Sequence, residues 1–124
     1  MTALVGAHLI IAIVHGMAHD RAHVMLPPAA MLFVFVVILA GPVAGVALAW
    51  RAERAGLWLV AVAMAGSFAF GLVNHFVLAS PDHVAHVDAA WRPLFATTAT
   101  LLALTEAAAC ALAIALARER VTAS

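Results

Sequence analysis

The chain has 124 residues, 67% of them hydrophobic and only 10% charged, with a mean hydropathy of +1.12, which excludes an ordinary soluble domain of about 45–50% apolar and about 25% charged residues. Six basic residues, all Arg, balance six acidic ones, so there is no polybasic surface for nucleic acid. The single Cys110 excludes an intrachain disulfide and a Cys-x-x-Cys site.

The first apolar run covers about residues 3–19 and is expected to continue as helix to Met25, where Pro27-Pro28 stops it. It has no Lys or Arg ahead of its apolar stretch and is interrupted by histidines, so it is expected to remain as a span and not to be a cleaved signal peptide. The second run, 29–50, has no charged residue and contains Gly41-Pro42-Val43-Ala44-Gly45. Pro42 should kink it, and the Gly41/Gly45 face should allow close helix approach, within the bundle or to a second copy or a larger membrane complex. Arg51, Glu53, Arg54 and Gly56 form a polar turn before the third run, 57–79. Ser80-Pro81-Asp82 reads as a helix start, with Ser as cap and Pro in the first turn. The piece 81–89 is too polar to span, so a short interfacial helix or ordered loop is expected there. The fourth run, 94–117, ends at Arg118, Glu119 and Arg120.

Each run is close to the ~20 residues that cross ~30 Å of hydrocarbon. The expected fold is therefore an all-α integral membrane protein: one domain, a bundle of four transmembrane helices over about 3–25, 29–50, 57–79 and 94–117. Arg51, Arg54, Arg118 and Arg120 fall on one side of an even number of spans, and Arg21 and Arg92 on the other. By the positive-inside rule both termini are expected in the cytoplasm, in an inner (cytoplasmic) membrane. Trp50 and Trp58 then sit at the inner interface and Trp91 at the outer one.

The chemistry is expected to follow the histidines. His8, His15, His19 and His23 are spaced 7, 4 and 4 residues apart. On an α-helix they fall within an arc of about 80°. A polar stripe in a membrane must face protein, water or a cofactor, because lipid offers imidazole no partner. Counting about 1.5 Å per residue from the inner helix ends places Glu106 level with His15, and His19 level with His75. Glu106 is the most expensive residue in the chain, since an ionised carboxylate at a helix centre costs about 2.5–3.5 kcal/mol. His15 and His19, at i and i+4, can converge on one ion. Together His15, His19, His75 and Glu106 form the expected metal site between the first, third and fourth helices, biased to the outer face. His15 and Glu106 are its expected catalytic pair, and the ion is zinc, iron or copper. The competing cofactor is haem b, with His75 and either His15 or His19 as axial ligands on facing helices. His23, Asp82, His83 and His86 form a possible second, shallow outer site. His8 lies ~10 Å below His15 and is expected to bond a backbone carbonyl or another subunit. The phenylalanines are expected to serve packing or lipid contact.

His15-x-x-x-His19 and His83-x-x-His86 resemble pieces of the histidine boxes of membrane di-iron hydroxylases and desaturases, which are larger and use more histidines than the seven here. His15-x4-Asp20 resembles part of the motif of nickel–cobalt permeases, which has a second histidine where Arg21 stands. Both likenesses cover only a few residues, and neither carries a function to this chain. The function expected from the residues is that of a small membrane metalloprotein with redox or hydrolytic chemistry on a lipophilic substrate. The alternatives are a haem electron-transfer subunit working with quinone or a larger complex, a metal-ion or proton transport component, and a non-catalytic accessory subunit.

Overall fold

The computed structural model describes residues 1–122, with side chains up to Glu119; Arg120, used above for orientation, lies outside the described side chains. Helix α1 is Thr2–Arg21. Helix α2 is Pro28–Trp50, α3 is Arg54–Val77 and α4 is Arg92–Thr122. All four are long and apolar enough to cross a membrane, and no strand occurs among the described residues. They pack antiparallel in sequence. The "terminal end" of the bundle carries Met1, Trp50 and Arg54, and the "loop end" carries Ala22–Pro27 and Leu78–Trp91.

Three differences from expectation are local. Helix α1 stops at Arg21, short of Met25. The chain reverses there through His23, whose φ is 55°, a left-handed conformation that His adopts more readily than most residues. The extended approach required by Pro27-Pro28 follows at once. Between α3 and α4 no helix forms. Residues 78–91 make successive turns, because their polar backbone finds partners elsewhere. The His75 carbonyl accepts the Val84 N–H at 2.9 Å. The Asp88 carboxylate accepts the Ala90 N–H at 2.9 Å, and the Arg92 guanidinium donates twice to the Val87 carbonyl, at 3.1 and 2.9 Å. Finally, α2 carries a π-helical stretch, Val34–Ala40, immediately before Gly41-Pro42. Proline supplies no N–H to the carbonyl four residues back, here Ile38, and the helix widens around the vacancy.

The core is built from small residues. At the terminal end Ala49, Leu57 and Ala117 pack with Met1. In the middle Val5, Val46, Val60, Ala61, Met64, Ala109 and Ala113 form the largest buried cluster. At the loop end Ala18, Val24, Val87 and Phe95 pack together. The Gly41/Gly45 face belongs to this packing. A Cβ on Gly45 would stand 2.6 Å from the Val60 side chain and 2.9 Å from the Gly56 carbonyl, and one on Gly41 would stand 3.0 Å from Ala63. Of the two uses expected for this face, packing within the bundle is the one seen: α3 of the same chain lies against it.

Gly45→Val should therefore lower the melting temperature in detergent, at a cost of about 1–3 kcal/mol for overpacking a helix contact. Gly6→Ala meets nothing within 4 Å, and should be neutral or stabilise by up to ~1 kcal/mol through helix propensity. Equal melting temperatures for the two variants would contradict the close α2–α3 approach.

Candidate metal centre

Three histidines converge at the loop end. His15 and His19 lie one turn apart on α1, and His75 comes from the π-helical stretch Val73–Val77 that ends α3. Such wide turns are rare and recur at functional sites. This one brings His75 inward and leaves Asn74 to donate to the Phe70 carbonyl at 2.8 Å. The His15 ring centroid is 4.8 Å from that of His19 and 4.8 Å from that of His75, with both pairs near perpendicular. Phe95 of α4, fully buried, lies 4.7–5.3 Å from all three rings. One nitrogen from each imidazole falls within 4.8 Å of the others, and among the described residues these three are the set that can hold a metal ion.

The hydrogen bonds decide which nitrogens are free. His15 Nδ1 lies 2.8 Å from Thr98 Oγ1. That hydroxyl donates to the Leu94 carbonyl at 2.8 Å, as a helical threonine usually does, so it accepts from His15 Nδ1–H. His75 Nδ1 donates to the Asp82 main-chain carbonyl at 3.2 Å. His19 Nδ1 donates to the Val24 carbonyl at 3.3 Å. With every Nδ1 committed as a donor, each neutral ring keeps its lone pair on Nε2. Yet the Nε2 atoms of His15 and His75 face one another at 3.2 Å, and His19 Nε2 faces Asp82 Oδ1 at 3.3 Å. Lone pairs opposed at these distances need a proton or a metal ion between them. Tetrahedral coordination at about 2.0–2.1 Å puts neighbouring ligand nitrogens about 3.3–3.4 Å apart, close to the 3.2 Å between His15 and His75, and all three ligand atoms lie within 4.8 Å of one another.

Asp82, expected in the outer set, lies beside the three histidines. The loop after α3 folds back, buries Asp82 to 7% exposure and sets Oδ1 3.2 Å from His75 Nδ1. Neither carboxylate oxygen of Asp82 has a hydrogen-bond partner. The remainder of the outer set is not drawn in. His23 and His86 are exposed and His83 half-buried. His83 Nδ1 accepts the Ala85 N–H at 3.1 Å, and His86 Nδ1 donates to the Ser80 carbonyl at 2.7 Å.

Glu106 does not join the three histidines. It sits beside His8, with Oε1 3.6 Å from His8 Nδ1, and His8 Nε2 donates to the Ile38 carbonyl at 3.1 Å. The backbone partner expected for His8 is therefore present. The expected pairing of Glu106 with His15 is replaced by one two helical turns lower. The antiparallel register of α1 on α4 sets Val5 against Ala109 and Ala113, His8 against Glu106 and His15 against Thr98. Counting depth from assumed helix ends missed that register. Glu106 nevertheless faces the same space: a cavity of about 440 Å³ is lined by His15, His19, His75 and Asp82 at the loop end and by Glu106 below.

The geometry also bears on haem. Axial imidazoles on opposite faces of a macrocycle need room for the porphyrin between their nitrogens. His15 and His75 touch at 3.2 Å, and the His19 and His75 ring centroids are 5.7 Å apart at an angle of 57° with His15 against both. No slot for a macrocycle separates these rings, so nothing in the arrangement supports the haem alternative. Among protein-family models, curated proteins and solved structures, nothing matches the chain.

Thr98 is the residue that fixes the His15 tautomer. Thr98→Val should leave the helix intact and weaken metal binding by about 10–100-fold, the usual effect of removing an outer-sphere partner. Thr98→Ser should restore it. Zinc titration of detergent-purified protein against a competing chelator measures both, and an unchanged affinity in Thr98→Val would show that His15 does not ligate through Nε2.

Proposed function

We propose that this protein is a membrane metalloprotein that holds one transition-metal ion through the Nε2 atoms of His15, His19 and His75. The observation that carries this reading is the convergence of three buried or half-buried imidazoles, His15, His19 and His75, beside the buried Asp82 carboxylate. A purely structural polar network is the rival. In it Thr98 turns its hydroxyl toward His15, whose Nε2–H then goes to His75. In that rival His19 must also carry a second proton to donate to Asp82 Oδ1 at 3.3 Å, and charging a buried imidazole costs free energy. A cation at the three nitrogens needs no such proton: Asp82 lies within 3.3 Å of His19 and His75 and supplies the compensating negative charge.

Three imidazoles leave a coordination position open, the arrangement of catalytic and not structural sites. Zinc there supports hydrolysis, and iron or copper supports redox chemistry. The chain's own residues orient the ligands. Thr98 and the Val24 and Asp82 carbonyls fix the three rings, and Phe95 walls off one side of the site. A metal analysis of protein purified without a metal-affinity step tests this. Wild type should retain about one equivalent of zinc, iron or copper per chain, and His15→Ala with His75→Ala should abolish it. Glu106→Gln should keep it. Metal content at background in the wild type, or unchanged in the double variant, would end the proposal.

The site lies at the end of the bundle away from Arg51 and Arg54, and the Arg distribution puts that end outside an inner membrane. A topology reporter inserted at Ala89-Ala90, in the exposed part of the loop, should then report outside, and one fused after Ser124 should report cytoplasm. The opposite pair of signals would place the metal site on the cytoplasmic face.

A further inference from the structure

The cavity below the three histidines has an unusual composition for a polar site. Its walls are Ile13, Val34, Phe35, Leu39, Phe70 and Ala103, and the single carboxyl in its lower part is Glu106. Helix α1 meets α2 along Gly41–Trp50 and through the His8 bond to the Ile38 carbonyl, and approaches the residues above Ile38 only sparsely. The gap runs between exposed apolar side chains: Ile13 is 63% exposed, Phe35 58% and Met31 45%. In a bilayer this gap opens sideways to lipid. A volume of about 440 Å³ lies within the roughly 300–1,000 Å³ of small-molecule sites.

Glu106 is the group that asks for a ligand. It is 3% exposed, lines the cavity and makes no hydrogen bond to the described residues; its one polar neighbour is His8 Nδ1 at 3.6 Å. His8 Nδ1 is itself buried without a hydrogen-bond partner, because Nε2–H is committed to the Ile38 carbonyl. With His8 beyond hydrogen-bond distance, the Glu106 carboxyl remains free to bond whatever fills the cavity.

We propose that the cavity binds an uncharged long-chain molecule carrying a hydroxyl or carbonyl oxygen, which enters from the bilayer between α1 and α2 and hydrogen-bonds Glu106. A fatty acid is disfavoured, because it would bring a second carboxyl against Glu106. A molecule anchored there lies along the cavity toward His15, two turns or ~10 Å higher, so a part of it remote from the oxygen faces the histidines. As a substrate site this rests on the metalloprotein reading; as a binding site it stands without the ion.

Photolabelling separates the two. A long-chain alcohol bearing a diazirine is added to the protein in liposomes, and the labelled residues are mapped by mass spectrometry. Label should concentrate on 12–16 and 31–39 and fall at least tenfold with excess dodecanol but not with dodecane. Ala103→Phe, which fills the cavity, should abolish it. Glu106→Leu should reduce it severalfold, and Glu106→Gln, which keeps a donor, should retain it. Removing metal with a chelator should leave labelling intact, so a failure of the metal reading does not mask the result. Label spread evenly over outward residues such as Val62 and Leu104, or competition by dodecane equal to that by dodecanol, would show bulk lipid chains in the gap and overturn the proposal. Labelling unchanged in Glu106→Leu would overturn the role of Glu106.

Discussion

The four helices are apolar enough to cross a membrane, where a polar side chain would find nothing to bond, and the buried histidines of this bundle find their partners inside it. Each of the four histidines inside it has one nitrogen bound to an oxygen of the protein: His8 to Ile38, His15 to Thr98, His19 to Val24 and His75 to Asp82. The four oxygens come from α2, α4 and the two loop-end connections. Satisfying the imidazoles thus ties every segment of the chain to α1 or α3, and it fixes the rotation of each ring. An imidazole fixed in this way presents its second nitrogen in one direction only. At the loop end three such nitrogens meet; lower down one meets a carboxyl.

The departures from regular helix serve the same end. The π stretch of α2 and Pro42 together release the Ile38 carbonyl, which would otherwise be closed within its own helix. The π stretch of α3 turns His75 toward α1 and ends where the loop must fold back to deliver Asp82. Neither irregularity improves packing, since a widened turn loses van der Waals contact along its axis. Both occur beside a buried polar group, as expected if the backbone gives up local regularity to satisfy side chains that the bilayer cannot.

The spans and the histidine stripe were legible in the sequence because both depend only on local periodicity: run length for the helices, and i, i+4 spacing for His15 and His19. The grouping of His75 with them was legible from depth, since His75 stands near the end of its run. What was not legible depended on register or on loop folding. Glu106 was paired with the wrong histidine because both candidates, His8 and His15, lie on the same face of α1 and differ only in height. A height counted from uncertain helix ends on two tilted helices cannot separate positions two turns apart. Asp82 was assigned outward because Ser80-Pro81-Asp82 carries the residues of a helix cap. That local preference was overridden by the long-range contacts of the Val84 N–H and the Asp82 carbonyl with His75. Phe95 looked like one more apolar residue, and only the fold shows that it packs on three imidazoles.

The polar groups are distributed unevenly between the two walls of the cavity. Helices α1 and α4 meet along a tight seam in which Ala18, Ala109 and Ala113 are fully buried, and this seam carries His8, His15, His19, Thr98 and Glu106. The upper part of α2 contributes Met31, Val34, Phe35, Ile38 and Leu39 to the opposite wall and no polar side chain. Water filling such a space would bond to one wall and lose partners along the other, whereas an amphiphile satisfies both at once. The same asymmetry explains why α1 and the upper part of α2 do not close on each other. Closing them further would press the apolar face of α2 onto His15 and His19 and would bury Glu106 with no partner but His8. The gap between α1 and α2 follows from the polar seam that it exposes.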